Sequence, residues 1–118
     1  MSTLREAYES VGADYDDVLH RLMDSDDMVA RFAGKFLDDP SFGQLEEALA
    51  AGNVEPAFRA AHTLKGVAQN LGLVNVYKPA SELTELLRTG TLEGADELAA
   101  PVREQYQATV AALTEALG

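Results

Sequence analysis

Residues 54–72 read Val-Glu-Pro-Ala-Phe-Arg-Ala-Ala-His-Thr-Leu-Lys-Gly-Val-Ala-Gln-Asn-Leu-Gly. At about 100° per residue, a helix over Val54–Leu71 gathers Ala57, Ala60, Leu64, Val67, Ala68 and Leu71 into one arc. That arc is a core-facing stripe of the kind that a period of 3.6 produces. His62 falls on the opposite side, with Glu55, Phe58, Lys65, Gly66 and Gln69 beside it. The imidazole is therefore expected to face water, with a cation nearby and a glycine one turn along. A glycine inside a helix costs about 1 kcal/mol relative to alanine. Folding gives no reason for it on an exposed face, whereas an imidazole that another protein must approach does.

Outward from this segment, the chain reads as helices divided by short punctuation, and no stretch alternates long enough for a strand. A short helix is expected over Leu4–Ser10, ending near Gly12, and a second over about Tyr15–Met23. Ser25 suits an N-cap, with Asp26 and Asp27 placed well for the helix dipole. The helix it opens carries Met28, Val29, Phe32, Phe36 and Leu37. Asp39 is expected to cap the next, with Pro40 as its first residue, Phe42, Leu45 and Leu49 on its apolar side and Gly52 at its end. Asn53 can cap the central helix, where Pro56 fits the first turn, and Gly72 suits its C′ position. A helix over about Val76–Leu87 follows, with Pro79 either in its first turn or shifting its start. The last spans about Ala95–Leu117, with Pro101 as a kink or as its true beginning. Short loops favour antiparallel neighbours. The expected fold is all-α: an antiparallel four-helix bundle with additional short N-terminal helices. Residues 1–118 are expected to form one domain, with a bundle core over about 25–117.

The 118 residues include nine Lys plus Arg, twenty Asp plus Glu and no Cys, for a net charge of −11. Nucleic acid and anionic membrane surfaces are disfavoured partners at that charge. Disulfides, thiol catalysis and Cys-ligated metal are excluded. No apolar run is long enough to span a bilayer. Met1-Ser2-Thr3-Leu4-Arg5-Glu6 lacks the basic-then-apolar pattern of a leader, so a cytoplasmic location is expected. Asp24-Ser25-Asp26-Asp27 resembles a calcium loop only superficially, because Met28 falls on a ligand position and the glycine is missing.

A neutral imidazole is a nucleophile near pH 7 and can attack an activated phosphoryl group to form a phosphoramidate, which stays reactive enough to pass the group on. Such transfer needs in-line approach, and Gly66 leaves room for it. Lys65 can reach phosphoryl oxygens as a point charge. Gln69 could contact a partner or the phosphoryl group, and Phe58 and Arg59 are candidates for contact with a partner. His20 has no constellation around it. No P-loop or glycine-rich nucleotide lid is present, so another protein would have to bring the phosphoryl group and take it away.

The run His62-Thr63-Leu64-Lys65-Gly66, followed by Leu71-Gly72, closely resembles the signature of histidine-containing phosphotransfer (HPt) domains. Glu46-Glu47-Ala48-Leu49-Ala50-Ala51-Gly52-Asn53 before it, and the Leu-rich and long final helices after it, fit the same family. The resemblance implies a phosphocarrier between receiver-domain aspartates, phosphorylated at Nε2 of His62, with Lys65 assisting and Gly66 giving access. Its partners would be the receiver domains of a hybrid sensor kinase and of a response regulator. It implies no cofactor, magnesium belonging to the receiver. Thr84 matches the position where many members carry an imidazole-orienting Gln or Glu, and departs from that pattern, although a hydroxyl could still bond Nδ1. Arg88 matches a position where some members carry a basic residue near the phosphoryl group. A monomer with weak, transient contacts is expected. Two other readings are open: a helical module binding a receiver or other signalling partner without phosphorylation, and a fragment of a histidine kinase, for which no nucleotide site is visible, or of a phosphohistidine phosphatase.

Overall fold

Caps set where the helices begin. In the computed structural model, which describes residues 3–118, Thr3 Oγ1 accepts from Glu6 N at 3.1 Å. The Glu6 carboxylate accepts from Thr3 N at 2.8 Å. This reciprocal box opens α1 (Leu4–Ser10), with the bounds expected. Met1 and Ser2, the start of the stretch lacking a leader pattern, lie outside the described residues. Asp14 caps α2 (Tyr15–Arg21). This helix stops short of Met23 because Met23 and Asp24 both turn left-handed, at φ 61° and 59°. That reversal frees Ser25 to cap α3 (Asp26–Leu37), its Oγ accepting from Met28 N at 3.2 Å.

Pro40 is the N-cap of α4 (Ser41–Ala51) rather than its first residue, while Asp39 Oδ1 accepts from Ser41 N at 2.8 Å. Asn53 holds the N-cap position of α5 (Val54–Asn70) but makes no side-chain capping bond. α6 (Val74–Arg88) starts two residues earlier than expected, so Pro79 lies beyond its first turn. Lacking an N–H there, Pro79 leaves the Asn75 carbonyl without its helical donor. α7 (Ala95–Leu117) runs through Pro101 with the expected bounds. Among the described residues there is no strand, and no helix is long and apolar enough to cross a membrane.

α5 packs between α4 and α6, α6 lies against α7, and α7 also carries α1 and α3. The shared core includes Tyr8, Val18, Val29, Phe36, Leu45, Leu64, Leu83 and Val102. On α5, Ala57, Ala60, Leu64, Ala68 and Leu71 are buried as the arc required; Val67 is half-buried, and Ala61, outside the arc, is buried too. Small residues on three sides of α5 let its neighbours close around it and leave only one face outward. Across the molecule, Phe42 of α4 stacks on Tyr106 of α7 at 4.1 Å between centroids. Arg103 Nη2 of α7 donates to Glu46 Oε2 of α4 at 2.9 Å. Asn75 Nδ2 donates to Gln105 Oε1 and Thr109 Oγ1 at 3.0 and 2.9 Å, joining α6 to α7.

The end of α5 is pinned by the N-terminal helices. Tyr8 Oη donates to the Leu71 carbonyl at 2.7 Å, and Asp14 N donates to the Gly72 carbonyl at 2.8 Å. Gly72 sits at φ 68°, and a Cβ there would lie 2.5 Å from the Asp14 carbonyl oxygen. Gly72→Ala is expected to cost about 2–4 kcal/mol through left-handed strain plus the clash. Gly12→Ala is the control: φ is 76° but nothing lies within 4 Å of a Cβ. Its cost is the strain alone, about 1–2 kcal/mol. Urea midpoints of the two variants at unchanged slope check the difference; equal losses would show that the Asp14 contact yields freely.

The tyrosines of this region shift stability at high pH. Burial, then the hydrogen bond to Asp26 and its charge, pushes the Tyr15 hydroxyl up to about 12. Burial pushes Tyr8 higher still, with Tyr15 adding to it. Both are acids whose folded value exceeds the unfolded value of about 10. Their stabilisation is therefore complete below pH ~10 and lost as pH rises through about 12. Denaturant midpoints measured from pH 8 upward should stay level to about 10 and then fall. Tyr15→Phe should flatten the fall, and an unchanged slope in that variant would contradict the assignment.

Candidate functional site

The face of α5 that escapes burial carries His62, which is exposed, as are Arg59 and Gln69, while Phe58, Lys65 and Gly66 are half-buried. A Cβ built at Gly66 meets nothing within 4 Å, so this glycine relieves no helix packing. Its missing side chain instead leaves open space one turn from the imidazole.

α6 supplies the flank. The Phe58 ring lies 5.9 Å from the His62 ring, tilted by 44°. The Arg88 guanidinium, from the last turn of α6, sits 5.0 Å over the centroid of that same Phe58 ring. Arg88 thus lies over part of the ring expected to offer a partner an apolar contact. Arg88 in turn forks the Glu85 carboxylate, with Nη2 to Oε2 at 3.1 Å and Nε 3.3 Å from both oxygens. That pairing holds the Glu85 carboxyl below the usual carboxylate range, and the charges of Lys65 and His62 act in the same direction. The structure therefore groups His62, Phe58, Arg88, Glu85 and Lys65 on adjoining faces of two helices.

Thr84 does not belong to this group. It is fully buried, and its hydroxyl donates to the Ala80 carbonyl at 2.7 Å, one turn back along α6. A threonine in a helix readily closes this bond, which commits its proton to the backbone. It does not orient the imidazole. The neighbouring Glu85, 100° further round the helix, is the residue that faces outward, and sequence reasoning missed it. The signal was present in Glu85 and Arg88, an acid and a base three residues apart on one helix face.

Arg59 and Gln69 extend the exposed face. Arg59 lies on the flank away from Phe58, beside Thr63, and pairs with Glu55 at 3.5 Å. Gln69 stands two turns beyond His62 on the open side. His20 is exposed on α2, outside the group. No cluster of three or more His, Cys, Asp or Glu that could hold a metal ion occurs among the described residues. Chemically, the arrangement offers one open imidazole nucleophile with a lysine ammonium and a guanidinium on its flank, suited to a group carrying several negative charges.

A family model described as Hpt domain matches residues 37–116, from the end of α3 nearly to the end of α7. No curated protein and no solved structure matches the chain.

Proposed function

This chain belongs to the Hpt domain family, whose members are phosphocarriers of phosphorelays, and we propose that it takes a phosphoryl group from one receiver domain on His62 and yields it to another. The observation that carries this reading is the pairing of an exposed His62 with empty space at Gly66, on the one outward face of a helix otherwise sunk in the core.

In the forward step, the Nε2 lone pair of neutral His62 attacks the phosphorus of an aspartyl phosphate on the receiver. The P–N bond forms as the P–O bond to the aspartate breaks, and that bond's electron pair leaves on the carboxylate. The imidazole keeps its Nδ1 proton. The return step reverses these changes on the next receiver. Lys65 neutralises part of the charge on the phosphoryl oxygens, as a flexible point charge can. Gly66 leaves the line of attack open. Arg88, which lies over the Phe58 ring beside the imidazole, would join once the group is in place. Magnesium is expected on the receiver. Arg59, Gln69 and the uncovered part of Phe58 would meet the partner around the imidazole. Such signalling encounters bury little surface, often below about 1,200 Å² in total. Weak affinity and a monomeric carrier follow, at home in a cytoplasmic relay.

Transfer of labelled phosphoryl from a phosphorylated receiver domain tests the reading. The expected result is label on this chain in acid-labile, base-stable form, and none from ATP alone. No label from any of several receivers, with the chain folded, would leave the non-phosphorylated binding module as the better account.

A further inference from the structure

We infer that Glu85 is a stand-in for the phosphoryl group: it occupies Arg88 while His62 is bare, and the phosphoryl group displaces it as the partner of Arg88 once His62 is loaded. The inference rests on the phosphocarrier reading only for its biological setting, because the exchange depends on the charge at His62 and not on which protein puts it there.

Three observations carry it. Arg88 is already placed against the site, 5.0 Å over the Phe58 ring, and that ring is 5.9 Å from His62. Its pairing with Glu85 is geometrically good but exposed, with about half of each side chain open to solvent (51% and 59%). Exposed pairs of this kind are weak, so a stronger anion can break this one. A phosphoryl group brings about −1.5 to −2 charges and three strong acceptor oxygens, against one charge and two oxygens on Glu85. Arginine forks to either group with the same planar donor set. The Glu85 carboxylate lies 3.1 Å from the Arg88 guanidinium, so a phosphoryl group brought to that guanidinium would repel it. Glu85 is thus a positioning residue. It keeps the guanidinium folded over Phe58 and out of the line of attack, then gives it up, so that the loaded and bare forms present different charge to a partner.

The test needs no receiver. In a His20→Gln background, phosphoramidate loads His62 directly: its P–N bond breaks, the new P–Nε2 bond forms and ammonia leaves. The Arg88 Nε–H resonance, identified by its absence from Arg88→Lys, is followed by NMR before and after loading, with and without Glu85→Gln. The expected result is that the bare forms differ, because only one has the carboxylate. On loading, the resonance shifts in the protein that keeps Glu85, and the difference between the two forms is lost. A resonance that does not move on loading would overturn the exchange. So would a difference between the two forms that persists undiminished after loading, because Arg88 would then have stayed with Glu85. Failure of the phosphocarrier reading shows separately, as a chain that phosphoramidate loads but no receiver does.

Discussion

His62→Gln should reduce acceptance of phosphoryl from a receiver to background while leaving the fold intact. Glutamine keeps a polar side chain of similar reach but has no nucleophilic lone pair comparable to that of imidazole. The ring is exposed, with the Phe58 ring 5.9 Å away between centroids, so stability should change by no more than about 0.5 kcal/mol. His20→Gln, on an exposed position of α2, should accept label like the unaltered chain. Acid-labile label measured on the three proteins after equal exposure to one phosphorylated receiver distinguishes the sites. Label persisting in His62→Gln and disappearing in His20→Gln would move the acceptor to α2 and remove the basis of the proposed function.

Gly66→Leu is expected to slow transfer by about 10²-fold or more, because displacing an attacking atom from its line by an ångström or so has that effect. The same change should not harm the fold. Nothing lies within 4 Å of a Cβ at this position, so the new side chain leaves the helix without a clash. Leucine is also a far better helix former than glycine, by nearly 1 kcal/mol. Thermal unfolding of Gly66→Leu should therefore occur at or above the original midpoint while transfer collapses, and Gly66→Ala should share the gain with a smaller loss of rate. Both quantities are measured on the same preparation. A leucine variant that accepts phosphoryl at the normal rate would show that access at this face does not limit the reaction.

Much of this was visible in residues 54–72, because one helix obeys one period: the buried arc and the outward face follow from rotation alone. Helix existence was legible for the same reason, and so were the bounds of α1 and α7. What failed was of another kind. The early end of α2 depends on two consecutive non-glycine residues, Met23 and Asp24, adopting left-handed backbone, which nothing in the local sequence announces. Thr84 was placed by likeness to a pattern, yet a single step of helical rotation separates a core position from a surface one, and α6 settled that step through its contacts with α5 and α7. The cover that Arg88 of α6 gives Phe58 of α5 is a meeting between two helices, which no single-helix periodicity can contain, whereas the Glu85–Arg88 pair lay within one helix and could have been read.

The pinning of the last turn of α5 by Tyr8 and Asp14 has a practical consequence. The family pattern begins at residue 37, but Tyr8, Val18 and Val29 lie within the same core as Leu64 and Leu83. A chain begun at residue 37 would keep every residue of the motif and lose the donors to the Leu71 and Gly72 carbonyls. Water can take the place of those donors, but not of the apolar cover that Tyr8, Val18 and Val29 give the shared core. The stretch by which the molecule is recognised and the stretch that folds as a unit thus differ in length, and excising the recognisable part alone would deliver the motif without the rigidity that keeps its imidazole presented.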